Sequence, residues 1–345
     1  MNYILKTILF TLCLLSAKIP LPKTAIGSLP TPTLGNIFSG PNDIGIHNYS
    51  SSYGEGNGII YTCSAGHIDL AHVRSTADWT RYAYNFIKKE LLKSSAKIPF
   101  KTSVDPSIFL IEVKYPNGWE NMSNNNKKIV VHLVAIKIAK YVIFNAANWH
   151  EILTWYGHSK VPFFSEYPSS FSWEDSFSNM MGIYLAEKVI QEKESDFNYN
   201  MTIAIRTEME SFRMLSRVEA ISITNTLKGL WYSGWAPGLI KMKVRNFDIG
   251  QYDGYINPVK IKNIPECSEK IYPGYMVPTL DEANEHGFLF QVEIEPKELA
   301  AKKILKVLHK KNGLEKLKIR PEIDLPILLN DMKKDALDKG YIYYE

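Results

Sequence analysis

The chain has 345 residues, of which 45% are hydrophobic and 22% are charged. These proportions are ordinary for a packed globular protein, and they exclude a mainly disordered, collagen-like or coiled-coil chain. The 40 lysine and arginine residues exceed the 36 acidic residues by only four, so the overall charge does not indicate a nucleic-acid partner. The length allows two domains or one large domain.

The first 17 residues have the pattern of an export signal. Lys6 precedes an apolar run from Thr7 to Leu15, which has the length of a signal-peptide core and is too short to span a bilayer permanently. Ala17 offers a small residue for cleavage, and an uncleaved N-terminal anchor is the alternative. We therefore expect an exported protein, periplasmic or extracellular, with no integral membrane span beyond this segment.

The predicted elements begin after a lead-in at residues 18–61, which is rich in Pro, Gly and Ser and is predicted to be extended. Apolar residues at helical spacing predict an amphipathic helix of about 25 residues from His67 onward. A short strand at 108–113 and a long buried helix at 127–156 follow. Ser172 is then predicted to cap a helix that runs to about residue 194.

The remaining predicted elements are four helices and three strands. The patterns predict helices at 201–215, 217–227, 296–309 and 324–337, and strands at 239–244, 255–261 and 288–294. The fold class is therefore predicted to be α+β, with a mainly helical core at 62–230. A smaller, strand-rich C-terminal part at 231–345 is expected to pack on it.

Two cysteines remain once the signal is removed, Cys63 and Cys267. In an oxidising compartment they can form one disulfide, which would tie the two halves of the chain together. Two unpaired buried thiols are the alternative. In that case Cys63, just before a predicted helix, is a candidate nucleophile with His67 or His72 as its base.

A His–Glu pair near the end of the long helix is the first half of a metallopeptidase pattern. In the full pattern a second His, four residues later, shares the zinc with the first, and the Glu activates water. Here Thr154 occupies that later position, so the motif is incomplete. His150 remains a candidate metal ligand, and Glu151 is the candidate catalytic base.

The following helix strengthens this interpretation. Asp175, Asn179 and Gly182 lie at helical spacing on one face, and Glu174 is 24 residues after His150. The segment resembles the second helix of the thermolysin-like (gluzincin) metallopeptidases, where a carboxylate ligand follows the first His at about this spacing. The resemblance implies a zinc ligand at Glu174 or Asp175, and it places Asn179 where that family has an Asp.

A replacement for the missing second His lies upstream. Asp69 and His72 are one turn apart on the first predicted helix. If that helix packs beside the long one, His72, His150 and one carboxylate form the ligand set of an open catalytic metal site. The residues predicted to surround this set are His67, Asp69, Thr154, Tyr156, Glu166 and Asn179.

Three clusters of the chain carry a wider resemblance. They are 63–79 (CSAGHIDLAHVRSTADW), 150–157 (HEILTWYG) and 170–182 (SFSWEDSFSNMMG), with 245–248 (RNFD) as a further match. With them the chain resembles a family of bacterial exported proteins of unknown function. The resemblance implies no reaction, but it implies that the three clusters belong to one unit.

Two functions fit this pattern. The first is an exported, metal-dependent hydrolase of peptidase or amidase type, with a divalent cation, zinc being the best match, and with Glu151 activating water. The second is a non-catalytic envelope protein, in which the same side chains form a satisfied structural network and the partner is an envelope component. The concentration of acids and histidines in three short segments favours the first function, whereas Thr154 favours the second.

Overall fold

Helices make up most of the regular structure in the computed structural model, which describes residues 19–23, 27–32, 38–159, 166–234, 240–312 and 317–344. The helices of this part of the chain are α1 (Leu70–Leu92), α2 (Asn124–Trp155), α3 (Asp175–Lys193), α4 (Phe197–Ser211), α5 (Arg217–Thr226), α6 (Leu280–Ala283), α7 (Ala301–Asn312) and α8 (Pro321–Asp338). The predicted signal segment lies outside the described residues.

The strands are mostly short. They are β1 (Ile59–Thr62), β2 (Gly66–Asp69), β3 (Lys97–Phe100), β4 (Ile108–Lys114), β5 (Tyr232–Ser233), β6 (Lys241–Met242), β7 (Val244–Asn246), β8 (Tyr255–Ile256), β9 (Tyr275–Met276), β10 (Leu289–Glu295) and β11 (Ile342–Tyr344). An antiparallel hairpin joins β1 to β2, and an antiparallel sheet has the order β10-β4-β3. The other described strands pair as β5 with β6, β7 with β11 and β8 with β9.

Local sequence signals set the ends of the two central helices. The Asp69 carboxylate accepts hydrogen bonds from the amides of Ala71 and His72, at 2.6 and 3.3 Å, and so caps α1. The Ser123 hydroxyl caps α2 in the same way, and Gly157 stops this helix at a φ of 97° that favours glycine. Because β2 runs to Asp69, the helix predicted from His67 begins three residues later.

A glycine allows α3 to lie directly against α1. A Cβ atom at Gly182 would be 2.1 Å from the carbonyl oxygen of Val73 and 2.2 Å from Thr76 Oγ1, so no larger residue fits there. The Thr76 hydroxyl also donates to the carbonyl oxygen of Asn179, at 3.0 Å. This close contact fixes α3 beside α1 in the part of the molecule that holds the predicted site residues.

Helix α2 is the apolar centre of the core. Among the described helices it is the one long and apolar enough to cross a membrane by length and composition, but 67% of its most apolar window is buried inside the protein. Such burial is the pattern of a core helix rather than of a membrane span, as the sequence analysis expected.

The α+β class with a helical core is confirmed, but the C-terminal part is not distinctly strand-rich. Most of its strands have two or three residues, and its longest, β10, pairs with β4 from the first half of the chain. The larger of two hydrophobic clusters among the described residues draws its members from Ile44 to Ala336, and the second draws them from Phe38 to Ile261. The β1–β2 hairpin also crosses the boundary predicted between residues 61 and 62.

A disulfide joins Cys63 to Cys267 across 204 residues of sequence. Of the two alternatives left open by the sequence, the structure therefore has the disulfide. The alternative role of Cys63 as a nucleophile is wrong, because a disulfide sulfur has no thiolate to offer.

A buried network of charges, which the sequence analysis did not predict, holds the lead-in on α1. Lys23 Nζ lies 2.6 Å from Asp78 Oδ2 and 2.9 Å from Glu55 Oε1. His47 Nε2 lies 2.9 Å from the other oxygen of Asp78, and the Arg74 guanidinium lies 3.9 Å from Glu55. The lead-in is thus tied to the helical core rather than being a loose extended segment.

Candidate functional site

The start of α1, the end of α2 and the start of α3 bring acidic side chains around one histidine. His72 Nδ1 lies 2.9 Å from Asp175 Oδ1 and 3.8 Å from Asp69 Oδ2. Both carboxylates are buried, whereas the His72 side chain is 27% exposed. His72 is therefore the member of the group that a molecule arriving from solvent reaches first.

Two buried glutamates complete the group. Glu151, from α2, accepts a hydrogen bond from the amide of Phe171 at 2.7 Å. Glu174, just before α3, accepts one from the Ser172 hydroxyl at 2.6 Å, and its second oxygen is buried with no hydrogen-bond partner among the described atoms. Ser172 thus binds Glu174 instead of capping the helix, which begins at Asp175. We call Asp69, His72, Glu151, Glu174 and Asp175 the acid–imidazole cluster.

Burial and mutual repulsion shift the protonation of this cluster. Burial, with a further contribution from the charge of Asp175, raises the pKa of Glu151 to about 7. The same two causes raise the pKa of Glu174 well above its usual range. Burial alone would lower the pKa of the His72 imidazole. The negative charges of Asp175 and Asp69 have the larger combined effect and raise this pKa to about 10. His72 is therefore a cation at neutral pH, while Glu151 is poised to gain or lose a proton.

This arrangement suits acid–base chemistry near neutral pH. A group whose pKa lies near the working pH is the most effective general acid or base, and Glu151 meets that condition. Four ionised carboxylates and one imidazolium would leave three uncompensated negative charges in a buried place. Such an excess is costly, so the cluster must hold protons or attract a cation.

His150 faces a different group. Its Nδ1 lies 3.1 Å from Asp105 Oδ1, and His158 Nε2 lies 3.2 Å from the same oxygen. Consecutive helical residues point about 100° apart, so Glu151 faces the acid–imidazole cluster while His150 faces the β3–β4 loop.

The predicted metal set of His72, His150 and a carboxylate is therefore not assembled. Among the described residues, the one group of three potential ligands within 4.8 Å of one another is Cys63, Cys267 and Glu269, and its two sulfurs form the disulfide. The sequence missed Asp105 because a lone acid in a loop carries no pattern.

Two of the other predicted residues lie away from the cluster. His67 is buried, where Trp173 Nε1 donates to its Nδ1 at 3.2 Å and Thr224 Oγ1 lies 2.7 Å from its Nε2, and burial lowers its pKa to about 3. Tyr156 donates to Asp331 of α8 at 3.1 Å.

The three remaining predicted residues have different surroundings. The charge of Glu166 helps to raise the pKa of His158, which places Glu166 on the Asp105 side. Thr154 follows Glu151 by one turn, and its buried hydroxyl has no hydrogen-bond partner among the described atoms. Asn179 lies beside α1 through its backbone contact with Thr76.

The lead-in passes over the cluster. A Cβ atom at Gly27 would be 2.7 Å from His72 Nε2 and 3.2 Å from Asp69 Oδ2. The amide of Ser28 donates to Asp69 Oδ2 at 2.6 Å. A glycine is needed for the backbone to approach the imidazole so closely, and no periodic pattern in the sequence revealed this contact.

A buried arginine fixes the loop behind Glu151. Arg245 on β7 donates to the carbonyl oxygens of Pro168 and Ser170. The amide of Asn246 donates to the carbonyl of Phe171 at 2.9 Å. Since Phe171 provides the amide that binds Glu151, the segment at 245–248 acts on the cluster by positioning this loop.

Fold and site together define an α+β protein with a helical core and an acid–imidazole cluster where three helix ends meet. The chain belongs to the uncharacterised family described as "Protein of unknown function (DUF4056)", whose profile matches residues 17–251. All five cluster residues lie inside the matched range. No curated protein and no solved structure matches the chain. The predicted resemblance to an uncharacterised family is confirmed, and the resemblance to gluzincins stays a prediction.

Proposed function

We propose that this chain is an exported hydrolase of peptidase or amidase type that binds a divalent cation at the acid–imidazole cluster. The observation that carries the proposal is a cluster of four buried carboxyl groups with a single, partly exposed imidazole, which lies within 4 Å of two of them. A divalent cation would neutralise the negative excess that otherwise forces these groups to keep protons.

The residues offer a ligand set for that cation. His72 and Asp175 are 2.9 Å apart, but no three ligand atoms of the cluster lie within 4.8 Å of one another in the described structure, so Asp69 or Glu174 would have to turn toward the ion. An imidazole with carboxylates is a set that zinc accepts, and His72 would release its proton when the ion binds. Such a site retains a position for water. Glu151 would take the proton of that water, because its pKa of about 7 matches the task.

Two features support the location and the reaction type. A disulfide persists in oxidising compartments, which agrees with the export signal predicted at the N-terminus. The peptidase or amidase class is taken from the predicted resemblance around Glu151, Glu174 and Asp175, because His150 itself lies beside Asp105. The lead-in segment at Gly27 would have to leave room for a substrate.

The first test is the metal content of protein purified without chelator, measured by elemental mass spectrometry. The expected result is about one divalent ion per chain in the wild type and loss of the ion in His72→Asn. His150→Asn is the matched control, because His150 is also a partly buried histidine beside an aspartate but lies in the other group. An ion bound equally by the wild type and by both variants would contradict the proposal.

The second test separates catalysis from architecture. Glu151→Gln should retain the ion and lose hydrolysis of peptide and cell-wall amide substrates. The alternative, a non-catalytic envelope protein, is favoured by one observation: Asp69, Glu151 and Asp175 all accept backbone hydrogen bonds. In that case no variant binds less metal than the wild type, and Glu151→Gln lowers the melting temperature.

A further inference from the structure

The charge of the chain is concentrated in one segment near the C-terminus. Residues 301–320 contain eight lysines or arginines and one acid, which gives this segment a net charge of +7. The whole chain carries only +4, so all the other residues together carry −3. The small overall excess therefore conceals a strongly basic region.

Helix α7 presents much of this charge on one exposed face. Ala301, Ile304 and Leu308 are buried against the protein. The exposed positions are Lys302, Lys303, Lys306, His309 and Lys310. No Asp or Glu occurs between Ala301 and Asn312, so the helix itself offers no acid to neutralise them. This face is therefore an unbalanced cationic surface, which we call the α7 basic face.

Exposed leucines lie on both sides of this helix in the sequence. Leu299, two residues before α7, is 86% exposed, and Leu317, five residues after it, is 75% exposed. Single exposed leucines are common on protein surfaces. Here, however, they flank the cationic helix in the sequence, and basic residues combined with exposed apolar ones are typical of segments that lie on a membrane surface.

We propose that the α7 basic face docks on an anionic phospholipid membrane. The lysines would lie at the level of the lipid phosphates, where each one adds to the attraction. Leu299 and Leu317 would insert at the boundary of the acyl chains. A nucleic acid would use the lysines but gain nothing from the leucines, so the apolar residues favour the lipid surface.

The contacts of α7 indicate which part of the fold would lie near the membrane. Lys303 Nζ donates to the carbonyl oxygen of Tyr156, at 3.3 Å, where α2 ends. The membrane would therefore lie next to the end of α2. The inference does not depend on the proposed hydrolase activity, because no residue of the acid–imidazole cluster takes part.

The test is co-sedimentation of the full chain with vesicles of phosphatidylcholine alone or mixed with phosphatidylglycerol. Binding is expected only to the mixed vesicles, and it should weaken as salt rises. The variant Lys302→Glu/Lys306→Glu/Lys310→Glu should bind at least about tenfold more weakly. The matched control is Lys128→Glu/Lys188→Glu/Lys228→Glu, which changes the net charge equally at exposed sites elsewhere. Equal weakening in both triple variants would overturn a specific docking face.

A second variant distinguishes lipid from other polyanions. Leu299→Ser removes an exposed side chain and should leave the fold intact, as the melting temperature will verify. It should weaken vesicle binding by about threefold to tenfold and leave binding to double-stranded DNA unchanged. If the wild type binds DNA more tightly than the mixed vesicles, or if Leu299→Ser has no effect on vesicle binding, the membrane proposal is wrong.

Discussion

Helix α1 contributes to two buried groups of charged side chains. These groups differ in the balance between positive and negative charges. In the first, Lys23 and Arg74 face Glu55 and Asp78, so two cations match two carboxylates, with His47 between them. In the second, the acid–imidazole cluster, four carboxyl groups face a single imidazole. The two groups are close in sequence, since Arg74 follows His72 by two residues.

This difference distinguishes a charge network that holds the fold together from a group of side chains that is a candidate functional site. A balanced buried network can compensate its own charges, and here it joins the lead-in to the helix. The acid–imidazole cluster cannot do this, and burial, followed by repulsion from Asp175, raises the pKa values of Glu151 and Glu174. Groups with strongly shifted pKa values concentrate at functional sites, and for that reason the proposed function is placed at the unbalanced group.

The largest effect is expected for Asp78→Asn, which breaks the balanced network. The change leaves Lys23 buried without one of its partners and should lower the free energy of unfolding by about 3–5 kcal/mol. Urea unfolding at neutral pH measures this loss. Asp281→Asn, at an exposed position, is the control. A loss no greater than in the control would mean that the network is not what holds the lead-in.

A gain in stability is expected for Glu151→Gln. The folded pKa of about 7 exceeds the ordinary value of 4.5, so the folded state keeps a proton that the unfolded state releases between these values. Stability should therefore fall as the pH rises from about 4.5 to about 7, and the neutral amide should avoid that loss. The variant should be more stable by about 2–3 kcal/mol above pH 7 and equal to the wild type below pH 4.5.

Urea unfolding at several pH values measures this difference. Glu166→Gln is the matched control, because Glu166 is outside the cluster. A Glu151→Gln variant less stable than the wild type above pH 7 would contradict this prediction. It would indicate that the ionised carboxylate stabilises the fold as the hydrogen-bond acceptor of the Phe171 amide.

In the metal-free protein the charge of His72 should also contribute to stability, and this contribution likewise falls as the pH rises, but in a higher pH range. Its folded pKa of about 10 exceeds the ordinary value of 6.5. The contribution is fully present below about pH 6.5 and is lost as the pH rises through about 10. After screening by solvent, His72→Asn should cost about 1–2 kcal/mol at low pH, and the gap should close at high pH. Melting curves across this range measure it, and a gap that does not depend on pH would show that the histidine is uncharged.

The smallest effect on stability is expected for Gly27→Ala. The added methyl group would lie 2.7 Å from His72 Nε2, so the lead-in must move away from the imidazole. The free energy of unfolding should fall by less than about 1 kcal/mol, since the lead-in is anchored elsewhere. NMR titration of His72 should nevertheless show a changed pKa. An unchanged titration would mean that Gly27 does not contact the imidazole in solution.

The sequence predicted those parts of the structure that have a periodic pattern of apolar residues or a helix-capping residue. It predicted α2 and β4 closely, and the α+β class followed from them. It also indicated that His72, Glu151 and Asp175 belong together, because each lies near the end of a strongly patterned helix. In the structure His72 and Asp175 lie 2.9 Å apart, whereas His150, which was predicted to join them, lies beside Asp105.

Other parts of the site depend on contacts that no local pattern encodes. The partner of His150 is Asp105, 45 residues earlier in a loop between two strands. Lys23 and Glu55 come from the lead-in, whose composition indicates only irregular structure. The C-terminal strands of two or three residues are too short for an alternating pattern to be distinctive.

The disulfide has a consequence for the order of events during synthesis. Cys63 is made 204 residues before Cys267, which at about 5–20 residues per second is an interval of about 10–40 s. The covalent closure therefore has to wait until Cys267 has been made. The family match includes Cys63 but ends at residue 251, before its partner. A recombinant fragment cut at that point would expose a reactive cysteine and tend to form cross-linked dimers.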